Sequence, residues 1–595
     1  MIVPMKQLTL VVLKNEQTAA LEVLQDLGVM HLAAAPPPDE EAITAIRARW
    51  QEVRRVAEVL SGLPASEAKP TGTSMRLQPP EIVAEVRRLT ERLSGLNDTR
   101  LELLLEQERL APFGNFEPEA IRLLEAQGIG VRLFRLPVRQ AFEPPDGTAL
   151  VELSRDRRQR YLVLVGPVAA VAQAEILEEV PMPDTSPASL ARQLLEVERE
   201  VTRIKNELTV LAGHLEAVKL LADRTEDKLH FEEARATMTV IGTLAYLRGF
   251  CPERDVPQVQ ALAEARGWGL LIEEVSNPNE VPTKIENPRW VKPIQPVMSF
   301  LGVIPGYDQV DISAPFLIFF SLFFAMIVGD AGYGLLFLLL TLWGQRRYPQ
   351  APKNLFSLLK LLSVATMVWG VLTGNYFGVP AIPAPLELLK VTWLLEQENI
   401  ILLSFIIGAV HLTLAHGWNV VRFFPSSRAL AQVGWILTTW SMFFLARTLV
   451  LGAPFPEAIL PLLAVGVALI VVFMTPWRQL KHEWFNHAML PLTLVNNFVD
   501  VISYVRLFAV GAATYAVASA FNEMALAAGA GGLLASILAA LILFFGHTLN
   551  ILLAAMGVLV HGVRLNTLEF AGHLGMSWSG RPYRPFARKA RREVA

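Results

Sequence analysis

Two arginines stand where hydropathy alone would exclude them. Arg506 interrupts "VISYVRLFAVG" and Arg564 interrupts "HGVRLNTLEF", each within a long apolar run. A guanidinium cannot shed its charge by deprotonation. At the centre of a bilayer a cation costs ~2.5–3.5 kcal/mol on insertion scales, so it is kept only against a partner charge, a water cavity or an ion path. The blander readings are snorkelling from a helix end and a structural ion pair. They suit Arg564, near the end of its run, better than Arg506 in mid-run.

Polar side chains accompany both arginines. At 100° per residue, Asn496, Asp500 and Ser503 fall within about 60° of one another, with Arg506 at the edge of the stripe. His547, Asn550, His561 and Arg564 share a face about 100° wide on the following run. Two helices that each offer a polar stripe and one arginine favour an ion path over two unrelated snorkels. His411, alone on its run, reads more readily as structural, as does Asp330 among the glycines of "GDAGYG".

Composition divides the 595 residues into two parts. Up to about residue 290 the chain is rich in charge; from Ala314 apolar runs dominate, as expected for an aqueous part followed by a lipid-embedded one. The net charge of −3 and the lack of a basic stripe give no case for nucleic acid. A single cysteine, Cys251, excludes an intrachain disulfide and a cysteine-built metal site. No GxxxxGK[ST], HExxH or GxSxG occurs, so we expect no catalytic centre, cofactor or metal in the chain itself.

The apolar runs cover roughly 314–343, 355–378, 399–422, 429–450, 456–475, 486–526 and 531–570. Read backwards from the basic "RPYRPFARKARR", alternating inside and outside loops satisfy the positive-inside rule back to "GQRRYPQAPKN". The N-terminus, too evenly charged for a signal peptide, is expected in the cytoplasm. The first run must then begin and end on one face, so it should turn back at Gly329–Gly334 as two short helices. That gives eight membrane helices, the last two long and strongly tilted.

In the aqueous part, "KQLTLVVLK" reads as a strand and "NEQTAALEVLQDLGVMHL" as a helix and strand. "RRQRYLVLVGP" with "VAAVAQAEILEEV" gives a second strand-helix unit, and the stretch from Ala234 to Val275 a third. From Leu190 to Val218 apolar residues step 4-3-4-3, with Ser186 and Pro187 as start signals. Ile82, Val86, Leu89, Leu93 and Leu96 keep the same step. The expectation is a mostly α protein. Residues 1–290 form a cytoplasmic arm of α/β lobes joined by an antiparallel coiled coil, 291–313 a linker, 314–574 the membrane domain and 575–595 a basic tail.

"SYVRLFAVG" and "HGVRLNTLEF", with "MIVGDAGYG", "WGVLTGNYFG" and "GAVHLTLAH", resemble the membrane motifs of the I/a subunit of rotary V-type and A-type ATPases. The N-terminal lobes and heptads are similar to that family's cytoplasmic arm, more loosely. The resemblance implies a non-catalytic, multi-pass stator in the plasma (inner) membrane, with both termini cytoplasmic. Its partners would be a proteolipid c/L ring carrying a mid-membrane carboxylate, the peripheral stalk E/G subunits, the central-stalk and V1/A1 subunits, and lipid. Arg506 and Arg564 would separate two proton half-channels. His561, three residues before the second arginine, and Glu569 of "EF" would belong to the path. Asp500, Asn496 and Ser503 would line a half-channel or satisfy one another, and His411 takes the family's "GxxH" position. Vacuolar relatives carry a glutamate ten residues before the second arginine, where this chain has Ala554.

Two other classes compete. A secondary transporter would explain a broken helix and buried charge, but it calls for an internal repeat that the seven runs lack. A membrane-anchored coiled-coil scaffold would not retain arginines in its spans.

Overall fold

The computed structural model describes residues 1–33, 41–64, 78–140, 142–174, 178–379, 384–476, 481, 483–529 and 532–589. Strand β1 (Met5–Leu13), helix α1 (Gln17–Leu27) and strand β2 (His31–Leu32) precede two long helices, α2 (Glu41–Ser61) and α3 (Pro79–Leu110). Helix α4 (Pro118–Ala126), strands β3 (Ile129–Pro137), β4 (Ala149–Arg155) and β5 (Gln159–Pro167), helix α5 (Val168–Ala172) and strand β6 (Glu179–Val180) follow. Helices α6 (Pro187–Leu211) and α7 (Leu215–Thr237) lead to β7 (Thr239–Ile241), β8 (Leu244–Pro252), α8 (Val256–Arg266), β9 (Gly269–Glu273), β10 (Pro282–Thr283) and α9 (Gln295–Leu301).

The chain forms two compact units. One comprises Val11–Gly28, Ala34–Leu247 and Phe586–Ala595. In it α2 packs on α7, and α3 on α6 and α7. Val53, Val56, Ile82, Val86, Leu89, Ile204, Leu208 and Val218 share one core, so the heptad positions do meet one another. The start of α6 follows from its sequence: the Ser189 amide donates to Ser186 Oγ at 3.4 Å, and Pro187 opens the first turn. The seam passes from α6 to α7 through a tighter 3₁₀ turn at Ala212–His214.

The same unit holds a sheet in the order β4-β5-β3-β6, with β3 and β5 antiparallel from Ile129 opposite Pro167 to Pro137 opposite Gln159. Here "VAAVAQAEILEEV" departs from expectation. Among its described residues it gives the five-residue α5, whose Val171 packs on the core of the sheet, and Val180, which pairs with Leu133 in edge strand β6.

The other unit comprises Met1–Leu10, Val29–Ala33 and Arg248–Pro585. A second sheet, in the order β2-β8-β1-β9 with β7 on β8, contains Cys251, whose thiol burial pushes up to about 12. Helices α10 (Ser313–Val328), α11 (Ala331–Arg347), α12 (Lys353–Thr373), α13 (Ala384–Glu387), α14 (Gln397–Phe423), α15 (Arg428–Leu451) and α16 (Ile459–Phe473) come next. Then follow α17 (Trp484–Ala488), α18 (Leu490–Ser503), α19 (Val505–Ala528), α20 (Leu533–Gly557) and α21 (Ala571–His573). Strand β11 (Arg581–Pro582), within the basic tail, pairs in parallel with β10, and Tyr583 donates its hydroxyl to Val29 O at 2.6 Å.

The run 314–343 is two helices. Gly329, at φ +67°, ends α10 in the left-handed conformation, and Asp330 caps α11. Asp330 Oδ1 accepts from the Gly332 amide at 2.7 Å and the Tyr333 amide at 3.1 Å, and Oδ2 from the Gly378 amide at 3.2 Å. Backbone contact locks the turn: a Cβ on Gly370 of α12 would lie 2.0 Å from Ala331 N. Among the described residues, five helical stretches are long and apolar enough to cross a membrane: Lys353–Thr373, Gln397–Phe423, Arg428–Leu451, Leu490–Ala528 and Leu533–His573.

Candidate functional site

Both arginines sit at irregularities of their helices. The run 486–526 breaks at Tyr504, between α18 and α19, two residues before Arg506. Past α20, Arg564 lies between two π-helical stretches, Val558–Gly562 and Leu565–Phe570. Wide turns of this kind cluster at functional sites because they re-aim side chains.

Glu569, on the second π stretch, joins the two helices. Its Oε1 accepts from Arg506 Nη2 at 2.6 Å and lies 3.4 Å from Arg564 Nε. Arg506 Nε also donates to Ser503 O at 2.8 Å, and Ser503 Oγ donates to Asp500 O at 2.7 Å. Glu569 is 4% exposed, whereas the side chains of Arg506 and Arg564 are 22% and 54% exposed. The carboxylate is thus sealed behind two guanidiniums that remain reachable from outside the unit.

A hydrogen-bonded chain leads away from Asp500. Asp500 Oδ2 lies 3.0 Å from His573 Nε2, His573 Nδ1 lies 2.9 Å from His416 Nε2, and His416 Nδ1 lies 2.8 Å from Gln432 Oε1. Asn419 holds the His573 carbonyl at 3.0 Å. These groups, with Asn496 and Glu569, line a cavity of about 370 Å³. Asn497, which also lines the cavity, donates to Thr439 Oγ1 at 3.1 Å.

A second polar cluster forms elsewhere on α19 and α20. Tyr333 Oη lies 2.7 Å from His547 Nδ1, and His547 Nε2 lies 3.2 Å from Asn522 Oδ1. Asn550 donates to Tyr333 Oη at 3.0 Å and to Thr514 O at 2.9 Å. The hydrogen bonds described here give this cluster no residue in common with the Asp500 chain. Asn550 precedes Arg564 by ~21 Å of helix at 1.5 Å per residue.

The structure therefore regroups the stripes read from the sequence. Asp500, Ser503, Arg506, Arg564 and Glu569 come together, while His547 and Asn550 join Tyr333 instead. Nδ1 of His561 is buried with no hydrogen-bond partner among the described residues. His411 is fully buried, stacked between Phe319 at 3.9 Å and Phe570 at 4.3 Å, with its Nδ1 2.8 Å from Tyr504 Oη. Asp330 lies in the turn described above.

Sequence reading missed His573, His416, Gln432 and Tyr333. A signal existed for the first: His573 follows Glu569 by four residues, one helical turn on the same side. The contacts of His416 with His573 and of Tyr333 with His547 join residues more than 150 positions apart and had none.

No family model matches the chain. It is 31% identical to the V-type ATP synthase subunit I 1 of Treponema pallidum, over 98% of this chain and 100% of that protein. It is 29% identical to the V-type ATP synthase subunit I of Borreliella burgdorferi, over 98% and 99%. It is 26% identical to the A-type ATP synthase subunit I of Methanocaldococcus jannaschii, over 67% and 64%. A crystal structure of the cytoplasmic N-terminal domain of subunit I, homolog of subunit a, of V-ATPase aligns with 45% of this chain and 99% of that one, at 19% identity and a TM-score of 0.22. With a relative above 30% identity matched from end to end, the chain belongs to the subunit I family of V-type ATP synthases.

Proposed function

We propose that this chain is the stator against which a proteolipid ring turns, and that Arg506 and Arg564 separate two proton half-channels. The cavity at Asp500, His573 and His416 serves one half-channel, and the cluster of Tyr333, His547, Asn522 and Asn550 the other. A ring carboxylate entering between them meets a fixed positive charge. An opposite charge within ~4–6 Å lowers a carboxyl pKa by ~1–3 units, so the proton leaves. It cannot pass the arginines, and rotation is its only route to the second half-channel.

One observation carries this reading: two arginines on separate long helices converge on one buried carboxylate oxygen, between polar clusters that share no residue. The ring would lie along α20, where Leu549, Leu552, Met556, Leu559 and Val560 are 46–59% exposed. The five long spans, with α10, α11 and α16, make eight membrane helices. The helical bundle of α2, α3, α6 and α7 anchors the peripheral stalks, and both termini are cytoplasmic.

Cysteine cross-linking tests the placement. Cys251 is buried with its thiol pushed up to about 12, so a Met556→Cys substitution adds the chain's one readily reactive thiol. In the assembled complex it should cross-link to a cysteine placed one turn from the ring carboxylate. Ring subunits that co-purify yet never cross-link would place the ring elsewhere.

A further inference from the structure

Glu569 has a place in the geometry that a proton carrier would not need. One of its oxygens takes everything: Oε1 accepts from Arg506 at 2.6 Å, lies 3.4 Å from Arg564 Nε and 3.5 Å from Ser503 Oγ. The other, Oε2, is buried with no hydrogen-bond partner among the described residues. A carboxylate buried this way is held chiefly by charge, because desolvation is offset only by the guanidiniums it faces. The backbone serves the same end, since the π-helical stretch Leu565–Phe570 carries Glu569 back toward Arg506 of the neighbouring helix.

We propose that Glu569 is the resident counter-ion of the arginine pair, holding both guanidiniums until the carboxylate of the ring replaces it. The inference rests on the stator reading above. Two guanidiniums and one carboxylate leave the site at +1, and an arriving ring carboxylate makes it neutral. Without Glu569 the site would stand at +2. It would then hold the ring carboxylate after its proton has gone and resist the reprotonation that releases it. Glu569 thus sets how long the ring dwells at the arginines; it neither donates nor accepts the transported proton.

The other ionisable groups around the carboxylate and its arginines include Asp500 and Tyr504 at the end of α18, His416 of α14, His573 of α21, and His561, which faces both guanidiniums. Asp500 is paired with His573, at 3.0 Å, and Glu569 with the two arginines. The removal of one negative charge at 569 therefore acts mainly on the arginines and on the visiting carboxylate.

The test is E569Q in the assembled complex, with ATP hydrolysis and ATP-driven proton uptake followed across pH. Turnover should fall about tenfold while proton uptake per ATP is retained. Its optimum should move toward acid by about one unit, the scale of one added cation beside a carboxylate. E569D should return the optimum to its original position. Uncoupled hydrolysis in E569Q, an unmoved optimum, or no recovery in E569D would each overturn the inference. If E569Q does not assemble, E569Q combined with R564Q, which removes one charge of each sign, should assemble. If the double variant also fails, Glu569 is a packing residue and the inference is wrong. The stator reading fails on a different result, undiminished pumping by R506A.

Discussion

Helices α14 and α15 and the last two long spans have similar composition but opposite surroundings. In Gln397–Phe423 and Arg428–Leu451, 44% and 50% of the apolar window is buried within the chain; in Leu490–Ala528 and Leu533–His573 the shares are 28% and 17%. The first pair finds its partners at home: His411 is stacked between Phe319 and Phe570, and Thr438 donates to Gly434 O. The second pair buries Glu569 on the inner side, leaves Arg564 half exposed, and leaves apolar faces uncovered. The difference teaches that the charge cluster sits at the edge of this chain's own fold, where a second protein can reach it. A membrane span without contacts is ordinary. A span without contacts that carries a doubly shared buried carboxylate is not.

The comparison can be broken by substitutions of matched kind. The largest effect is expected in the packed region: in Gly370→Val the new side chain meets Ala331 N, and such overpacking costs about 1–3 kcal/mol or more. Complexes purified from cells carrying it should lack this subunit; normal assembly would mean that the turn at Asp330 is not locked by close approach. Next comes His573→Ala, which cuts the Asp500–His573–His416 chain. Proton uptake should drop by about 100-fold if the imidazole relays protons, with assembly intact on native gels. An unchanged rate would reduce the chain to a structural network.

A finer contrast uses one truncation in both regions. Leu414 on α14 is 47% exposed and Leu552 on α20 is 59% exposed. Leu414→Ala faces only lipid under this account and should leave ring retention in detergent within about 0.5 kcal/mol of wild type. Leu552→Ala should loosen it by about 1 kcal/mol. Equal retention in the two variants would remove the distinction between the two faces.

Much of the scaffold was legible in the sequence because local chemistry dictates it. Gly329 and Asp330 announced the turn, one through its left-handed conformation and the other as a helix cap. The heptad residues Ile204, Leu208 and Val218 led to a shared core with Ile82 and Val86. The site was legible in its members but not in its grouping. A helical wheel assumes 100° per residue, and the π-helical stretches around Arg564 violate that assumption. Arg564, between those stretches, joins Glu569, while His547 and Asn550 join Tyr333. Contacts such as His416 with His573 depend on how distant helices pack, which no local pattern encodes.

The account stands on Arg506 as the barrier between two proton paths, and ATP-driven acidification of vesicles carrying Arg506→Ala in an assembled complex tests it most directly. We expect acidification to fall by about 100-fold or more, the scale at which loss of a preorganised charge is felt, while the subunit and its ring remain in the complex. Undiminished acidification by Arg506→Ala would contradict the mechanism.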